Sequence, residues 1–301
     1  MSRGTGRRFV SHCASLTPGR FSFSNMDKML KKLFSSDEEE LYVLDCLSYV
    51  MMSMACVTFV VLLFENVPYG RYASSKYGFH VSVRLSWLIQ ELPAFLVPLS
   101  LVLWASSSRA MYLPNQLLLG MYFCHYFQRT FVYPFLIRGG KPTPFGSFAL
   151  AFAFCTCNGY LQARYLSHYA EFPPGWVTHP YFITGSCLWF LGWVINIHSD
   201  HILRNLRAPG ETGYNIPRGD SVSHNLALVG GLFEYVSGAN FLGEIIEWAG
   251  FALAVHSIHS AAFALFTSII LSSRAVAHHK WYLVKFEDYP KHRKALIPFV
   301  F

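Results

Sequence analysis

Charged residues are scarce in this chain. Of its 301 residues only 14% are Asp, Glu, Lys or Arg, whereas 53% are hydrophobic and 17% aromatic. That balance, with a mean hydropathy of +0.31, excludes an extended solvated chain and matches a membrane composition. Several signatures of soluble enzymes are missing as well. No GxGxxG follows a strand, which excludes a soluble Rossmann module. Cys155 and Cys157 lack the two-residue gap of a zinc or redox pair, and the seven cysteines read as packed, reduced thiols. His198, His201, His278 and His279 do not supply the clustered boxes of a diiron site, so no metal is expected. Internal repeats and low-complexity tracts are absent too.

What is present is a set of long apolar runs. A helix needs roughly 20 residues to cross a hydrocarbon core, and runs of that order lie at about 41–64, 85–105, 111–137, 145–164 and 181–202. The stretch 240–272 is long enough for two more, joined tightly near His256 to His259. The fold expected is all-α, with seven transmembrane helices. Lys and Arg gather after the first run (Arg71, Lys76, Arg84), the third (Arg138, Lys141) and the fifth (Arg204, Arg207, Arg218), and in the closing tail. Basic loops face the cytosol, so the tail and C-terminus are expected there. Seven crossings then place the N-terminus on the far side, against the seven Lys and Arg of residues 1–32. The net charge of +7 follows from this loop bias and is no sign of nucleic acid.

Residues 1–25 hold four arginines and no acid. Such a stretch is similar to an organelle transit segment, but the reading preferred over import is an irregular extension or a mistaken upstream start ahead of Met26. The chain divides into residues 1–40, an N-terminal extension expected to be disordered, and 41–301, a single membrane domain.

Four polar groups interrupt the apolar runs. In WLIQELPAFLVPL, Gln90 and Glu91 stand side by side, and an ionisable residue inside a span usually faces the bundle, pairs, or takes part in chemistry. In the third run Tyr122, Tyr126, Arg129 and Tyr133 recur three or four residues apart and share a helix face, with His125 and Gln128 nearby. A structural hydrogen-bond network explains such a stripe as well as a site does. Asn196, Asp200, Arg204 and Arg207 form a second row, suited to ribose hydroxyls and phosphate oxygens. Arginines snorkelling to headgroups account for its outer half, but not for Asn196 and Asp200. Asn240, Glu244 and Glu247 form the last row, and these carboxylates need cationic partners. The basic, aromatic tail can anchor to anionic headgroups.

The segments IQELPAF, HYFQRTFVYPFLIRGGKP, FCTCNGYLQARYLSHYAE, INIHSDHILRNLRAPGETGY, GLFEYVSGANFLGEIIEW and HHKWYLVKFEDYPKHRKALIPF resemble the vertebrate steroid 5α-reductases. The resemblance runs from about residue 40 to the end, and is closer to the type 1 than to the type 2 isozyme. It implies a seven-helix enzyme of the endoplasmic-reticulum membrane that reduces the Δ4 double bond of 3-oxo steroids such as testosterone with NADPH. Hydride passes to C5 and a proton to C4. By motif, Glu91 and Tyr126 would act on the steroid C3 carbonyl. Asn196, Asp200, Arg207, Tyr214, Asn240, Glu244, His278 and Tyr282 would hold NADPH, with Arg204 and Arg274 as further candidates. The implied partners are a steroid substrate and the lipid bilayer.

Two departures stand out. Asn215 replaces the basic residue of the family's GYxIP motif, and residues 220–230 interrupt its continuous IPRGGLFEYV. The latter reads as an inserted segment. The alternatives are a related membrane reductase of polyprenols or enoyl-CoA thioesters, and an inactive splice form or paralogue acting by interaction.

Overall fold

The computed structural model describes residues 24–68, 70–206, 215–217 and 230–301. Helix α1 (Ser24–Leu33) precedes α2 (Asp37–Leu62). Ser36 caps α2 by accepting from Glu39 N at 3.2 Å, and four acids fill the first turn, where carboxylates complement the helix dipole. The extension expected to be irregular to residue 40 is therefore helical over most of residues 24–40. Asp27 ties α1 to the bundle, accepting from Ser106 N at 2.7 Å and Ser106 Oγ at 2.6 Å.

Helix α3 (Val83–Trp104) holds Pro93 and Pro98 in its interior. Gly159 lets a neighbour approach there, since a Cβ on it would lie 3.2 Å from Pro93 O. That neighbour is α6 (Phe145–Arg164). Between them run α4 (Leu113–Phe127), a π-turn (Gln128–Val132) and the short α5 (Tyr133–Leu136). A second π-turn, Tyr165–Tyr169, ends α6. A two-stranded antiparallel ladder, β1 (His80–Val81) with β2 (Thr143–Pro144), joins the loops before α3 and α6. Then come α7 (Pro180–Asn205), α8 (Ala239–Val255) and α9 (Ile258–Lys285). The corner between α8 and α9 turns at His256, held at φ 53°, and Ser257 caps α9.

These helices overlie the apolar runs read from the sequence, with the corner where it was expected, though α9 continues past residue 272 to Lys285. Four of them, α2, α3, α7 and α9, are long and apolar enough to cross a membrane by length and composition. Exposed Val, Phe and Leu side chains coat their outer faces.

Helices α7 and α8 meet backbone to backbone. Gly185 and Gly192 face Gly250 and Gly243, seven residues apart on each helix; a Cβ on Gly243 would lie 2.5 Å from Asn196 N, and one on Gly185 2.5 Å from Ala254 N. Small residues at such crossings allow close helix approach in membranes. Gly243→Ala is expected to lower stability by about 1–3 kcal/mol through overpacking. Thermal unfolding of the detergent-solubilised protein reads this, and an unchanged midpoint would show that the crossing has slack.

At the end of the bundle where α2 begins, Glu40 is 2% exposed and accepts four hydrogen bonds. Arg164 Nε and Nη2 donate at 2.9 and 2.8 Å, Tyr160 Oη at 2.5 Å and Tyr169 Oη at 2.6 Å. Asn115 Nδ2 donates to Leu166 O and Ala170 O at 2.7 and 3.0 Å, meeting carbonyls in and just beyond the π-turn. Bidentate pairing and full acceptor use make this buried charge tolerable.

Candidate active site

The close α7–α8 crossing sets two polar rows against each other at the opposite end. Asn196 Nδ2 donates to Asn240 O at 3.0 Å and to Glu244 Oε2 at 3.3 Å. Asn240 Nδ2 donates to Asp200 Oδ1 at 3.2 Å. Arg129 closes the network from the π-turn after α4. Its Nη1 donates to Asp200 Oδ2 at 2.9 Å and its Nη2 to Glu244 Oε2 at 3.3 Å. The guanidinium carbon lies 4.7 Å from the Trp87 ring centroid and 4.4 Å from that of Tyr133. A π-bulge widens one helical turn, and such bulges recur at functional sites.

One turn back on α4, Tyr126 is 4% exposed. Its ring packs 4.6 Å from Tyr122 and 5.9 Å from Trp248. Across from it on α3, both oxygens of Glu91 are engaged. Gln90 Nε2 donates to Oε1 at 3.3 Å, and the Cys155 thiol to Oε2 at 3.6 Å. Ser86 Oγ in turn donates to Gln90 Oε1 at 3.2 Å. His125 Nδ1 lies 2.6 Å from Glu247 Oε1, a fully buried carboxylate that bolts α4 to α8.

Beyond Asn240 further polar side chains line α9. Arg274 lies over the Phe241 ring at 4.9 Å, and the His278 ring is 5.3 Å from the same phenyl. Tyr282 is buried, stacks on Tyr289 at 5.2 Å, and donor Arg71 Nη2 reaches its hydroxyl at 3.4 Å. The Arg71 guanidinium also covers Trp281 at 4.2 Å. Tyr72 lies 5.9 Å from His278 and, with Arg274, lines a small recess. Its buried hydroxyl has no hydrogen-bond partner among the described residues. Burial pushes the Tyr72 phenol above its usual range, so it stays a donor near neutral pH.

Of the residues read from sequence, Asn196, Asp200, Asn240 and Glu244 thus form one network. Arg274, His278 and Tyr282 lie along α9, the first two against Phe241 of α8. Arg204 sits on the same helix as Asp200 but bonds His201 Nδ1 at 2.7 Å instead. Arg207 and Tyr214 lie outside the described residues. Among the described residues no group of three His, Cys, Asp or Glu could hold a metal ion. Sequence reasoning placed Arg129 on a polar face and offered the arginines as partners for the α8 carboxylates without choosing among them, and it assigned neither Arg71 nor Tyr72 to the site. Their only sequence signal was a basic, aromatic loop after α2.

Apolar helices whose ionisable groups turn inward define a multi-pass membrane protein with a buried polar site. A family profile described as 3-oxo-5-alpha-steroid 4-dehydrogenase matches residues 141–301. The chain is 55% identical over 262 residues to mouse 3-oxo-5-alpha-steroid 4-dehydrogenase 1, covering 87% of this chain and 98% of the mouse protein. The bovine type 1 protein is 53% identical over 263 residues, with the same coverage. Rat 3-oxo-5-alpha-steroid 4-dehydrogenase 2 is 48% identical over 248 residues, 81% of this chain and 92% of that protein. The chain belongs to the 3-oxo-5-alpha-steroid 4-dehydrogenase family, an oxidoreductase family, and is more similar to its type 1 than to its type 2 members.

Proposed function

We propose that this chain reduces the Δ4 double bond of 3-oxo-Δ4 steroids with NADPH, as in the conversion of testosterone to 5α-dihydrotestosterone. The observation that carries this reading is the polar track buried in an apolar bundle, from Glu91 and Tyr126 through Arg129 to Asp200 and Glu244. The donor set suits a dinucleotide phosphate. Asn196, Asp200, Asn240 and Glu244 offer amides and carboxylates to sugar hydroxyls and a carboxamide. Arg204, Arg207, Tyr214, Arg274, His278 and Tyr282 offer donors for phosphates and a ring edge. The partnerless Tyr72 hydroxyl at the same end fits that reading.

When bound, NADPH supplies the hydride that steroid C5 receives. The chain's own residues shape the rest. Tyr126 donates to the C3 carbonyl oxygen, on which negative charge builds during reduction, and a preset donor in a water-free site stabilises that charge strongly. Glu91, fixed at both oxygens by Gln90 and Cys155, orients the phenol and the substrate. A proton reaches C4 to complete the saturated ketone.

The bilayer reading follows the same lines. We propose that α4 with α5, α6 and α8 cross alongside the four long helices, making seven spans in the endoplasmic-reticulum membrane with the C-terminus cytosolic. The break in the family's IPRGGLFEYV supports reading residues 220–230 as an insertion. That insertion separates two proposed NADPH contacts, Tyr214 and Asn240. Its entropic cost as a loop is small, about 0.6 kcal/mol per doubling of length, but a displacement of ~1 Å at a site can cost about 10² in rate. Deleting residues 220–230 is expected to tighten NADPH binding and raise turnover; equal kinetics would show a harmless loop.

The test of the function is direct. Purified protein in liposomes, given testosterone and NADPH, is expected to form the 5α-reduced steroid with one NADPH consumed per product. Turnover of a polyprenol or an enoyl-CoA without steroid turnover would move the chain to another reductase class, and no turnover of any would overturn the enzyme reading.

A further inference from the structure

The segment after α9 turns back along the bundle. Lys294 N donates to Tyr235 O at 2.9 Å, Ser237 N to Lys294 O at 2.9 Å and Gly238 N to Ala295 O at 3.0 Å. Residues 294–295 are thereby zipped to 235–238, the lead-in to α8. Leu296 then packs with Phe241, Leu271 and Ala275. Ala275 also meets Gly238, where a Cβ would lie 2.8 Å from that of Ala275.

This contact fixes a depth. Ala275 stands ten residues before the end of α9, so α9 runs about 15 Å past it at 1.5 Å per residue. It stands seventeen residues after the start, about 26 Å along a helix that faces a hydrocarbon core of about 30 Å. For a helix that enters the hydrocarbon at its first residue, the returning chain therefore meets the far edge of the core, well below the outer end of α9.

Residues 297–301 follow at that level. They are closed into a knot in which Leu296 N and Ile297 N donate to Phe301 O at 2.7 and 2.5 Å, and Phe301 N to Ile297 O at 3.0 Å. The knot holds Phe299 at φ 66°, a left-handed conformation that is unfavourable for a residue with a Cβ. It also turns the apolar side chains outward: Phe299 is 78% exposed, Val300 74% and Phe301 50%. The Tyr235 ring, 5.4 Å from Phe299, extends the patch, and Lys291 and His292 are exposed on its approach. In water this arrangement combines backbone strain with exposed aromatic surface. Against lipid, burial of the apolar side chains offsets the strain and the basic rim meets headgroups.

We propose that residues 297–301 form a lipid-inserting anchor in the leaflet at this end of the bundle, and that the anchor holds the lead-in to α8 through the 294–238 zip. The anchor depends only on the fold and the bilayer; its effect on NADPH rests on the function proposed above, because Asn240 follows the zip directly. Ser237 Oγ adds to the clamp, lying 2.7 Å from both His279 Nδ1 and Tyr289 Oη.

The experiment uses the full chain in liposomes with a photo-crosslinking phenylalanine at position 299. Illumination is expected to leave a lipid adduct on the peptide that holds position 299, and likewise with the same probe at exposed Leu191 of α7. Absence of an adduct at 299 beside one at 191 overturns the anchor. Phe299→Gly removes both ring and strain without unmaking the knot, and Phe299→Asp opposes insertion. Both are expected to raise the KM for NADPH about fivefold while leaving kcat nearly unchanged, the pattern of lost uniform binding. An unchanged KM in the presence of the adduct overturns the clamp on α8. A protein without NADPH turnover refutes the cofactor reading alone, and the adduct still decides the anchor.

Discussion

Tyr126→Phe is expected to lower turnover by about 10²–10³-fold, the usual loss for one oxyanion donor. The ring is buried among Tyr122, His125 and Trp248, so removing the hydroxyl leaves the ring packing in place and takes away the group proposed to meet the carbonyl oxygen. NADPH affinity should hold, because the network of Asn196, Asp200, Asn240 and Glu244 does not include the phenol. Glu91→Gln should show the same split. It keeps the shape and gives Gln90 and Cys155 an amide in place of a carboxylate. Single-turnover kinetics with a direct NADPH titration check both variants; near-normal turnover in both removes these residues from the mechanism.

Arg129→Leu has the second large effect. Arg129 is the cation set between Asp200 and Glu244 at 2.9 and 3.3 Å, and it is 8% exposed. Removing one partner of a buried pair costs about 3–5 kcal/mol, because the remaining charge stays desolvated. Here two carboxylates would be left facing each other across α7 and α8, so thermal stability and NADPH binding should fall together. Arg129→Leu combined with Asp200→Asn removes one of the stranded charges and should recover part of the stability. If the double variant is no more stable than the single one, the two groups are not coupled. Arg129→Lys keeps the charge without the planar fork and should fall between wild type and Leu.

Helix α3 shows what pattern alone could carry. Its apolar run and Glu91 within it were both legible, because a bilayer demands about 20 apolar residues and penalises each ionisable group placed among them. The same held for Asn196 with Asp200 and for Asn240 with Glu244, which helical spacing put on single faces. The corner at His256 was legible too, since one apolar stretch was too long for one helix. Residues 24–40 were misjudged as irregular. The arginine-rich stretch ahead of them drew the boundary at residue 40, past the Ser36 cap and the acid quartet that start α2, and nothing along the chain marked Glu40 as a residue with a buried partner.

The sequence by itself determined that this is a helical membrane protein, where its long apolar helices run, and the polar rows of α3, α4, α7 and α8 that turn inward, because the 3.6-residue repeat and the cost of burying charge both act within one segment. Only the tertiary structure decided which of those groups meet. Arg129 finds Asp200 and Glu244 across separations of 71 and 115 residues, Glu40 finds Arg164 across 124, and the closing segment returns to the depth of Ala275. The Arg129 pairing depends on glycines that let α7 and α8 touch, whose seven-residue spacing on each helix names no partner, and on a π-turn that redirects a side chain and leaves no periodic mark along the chain.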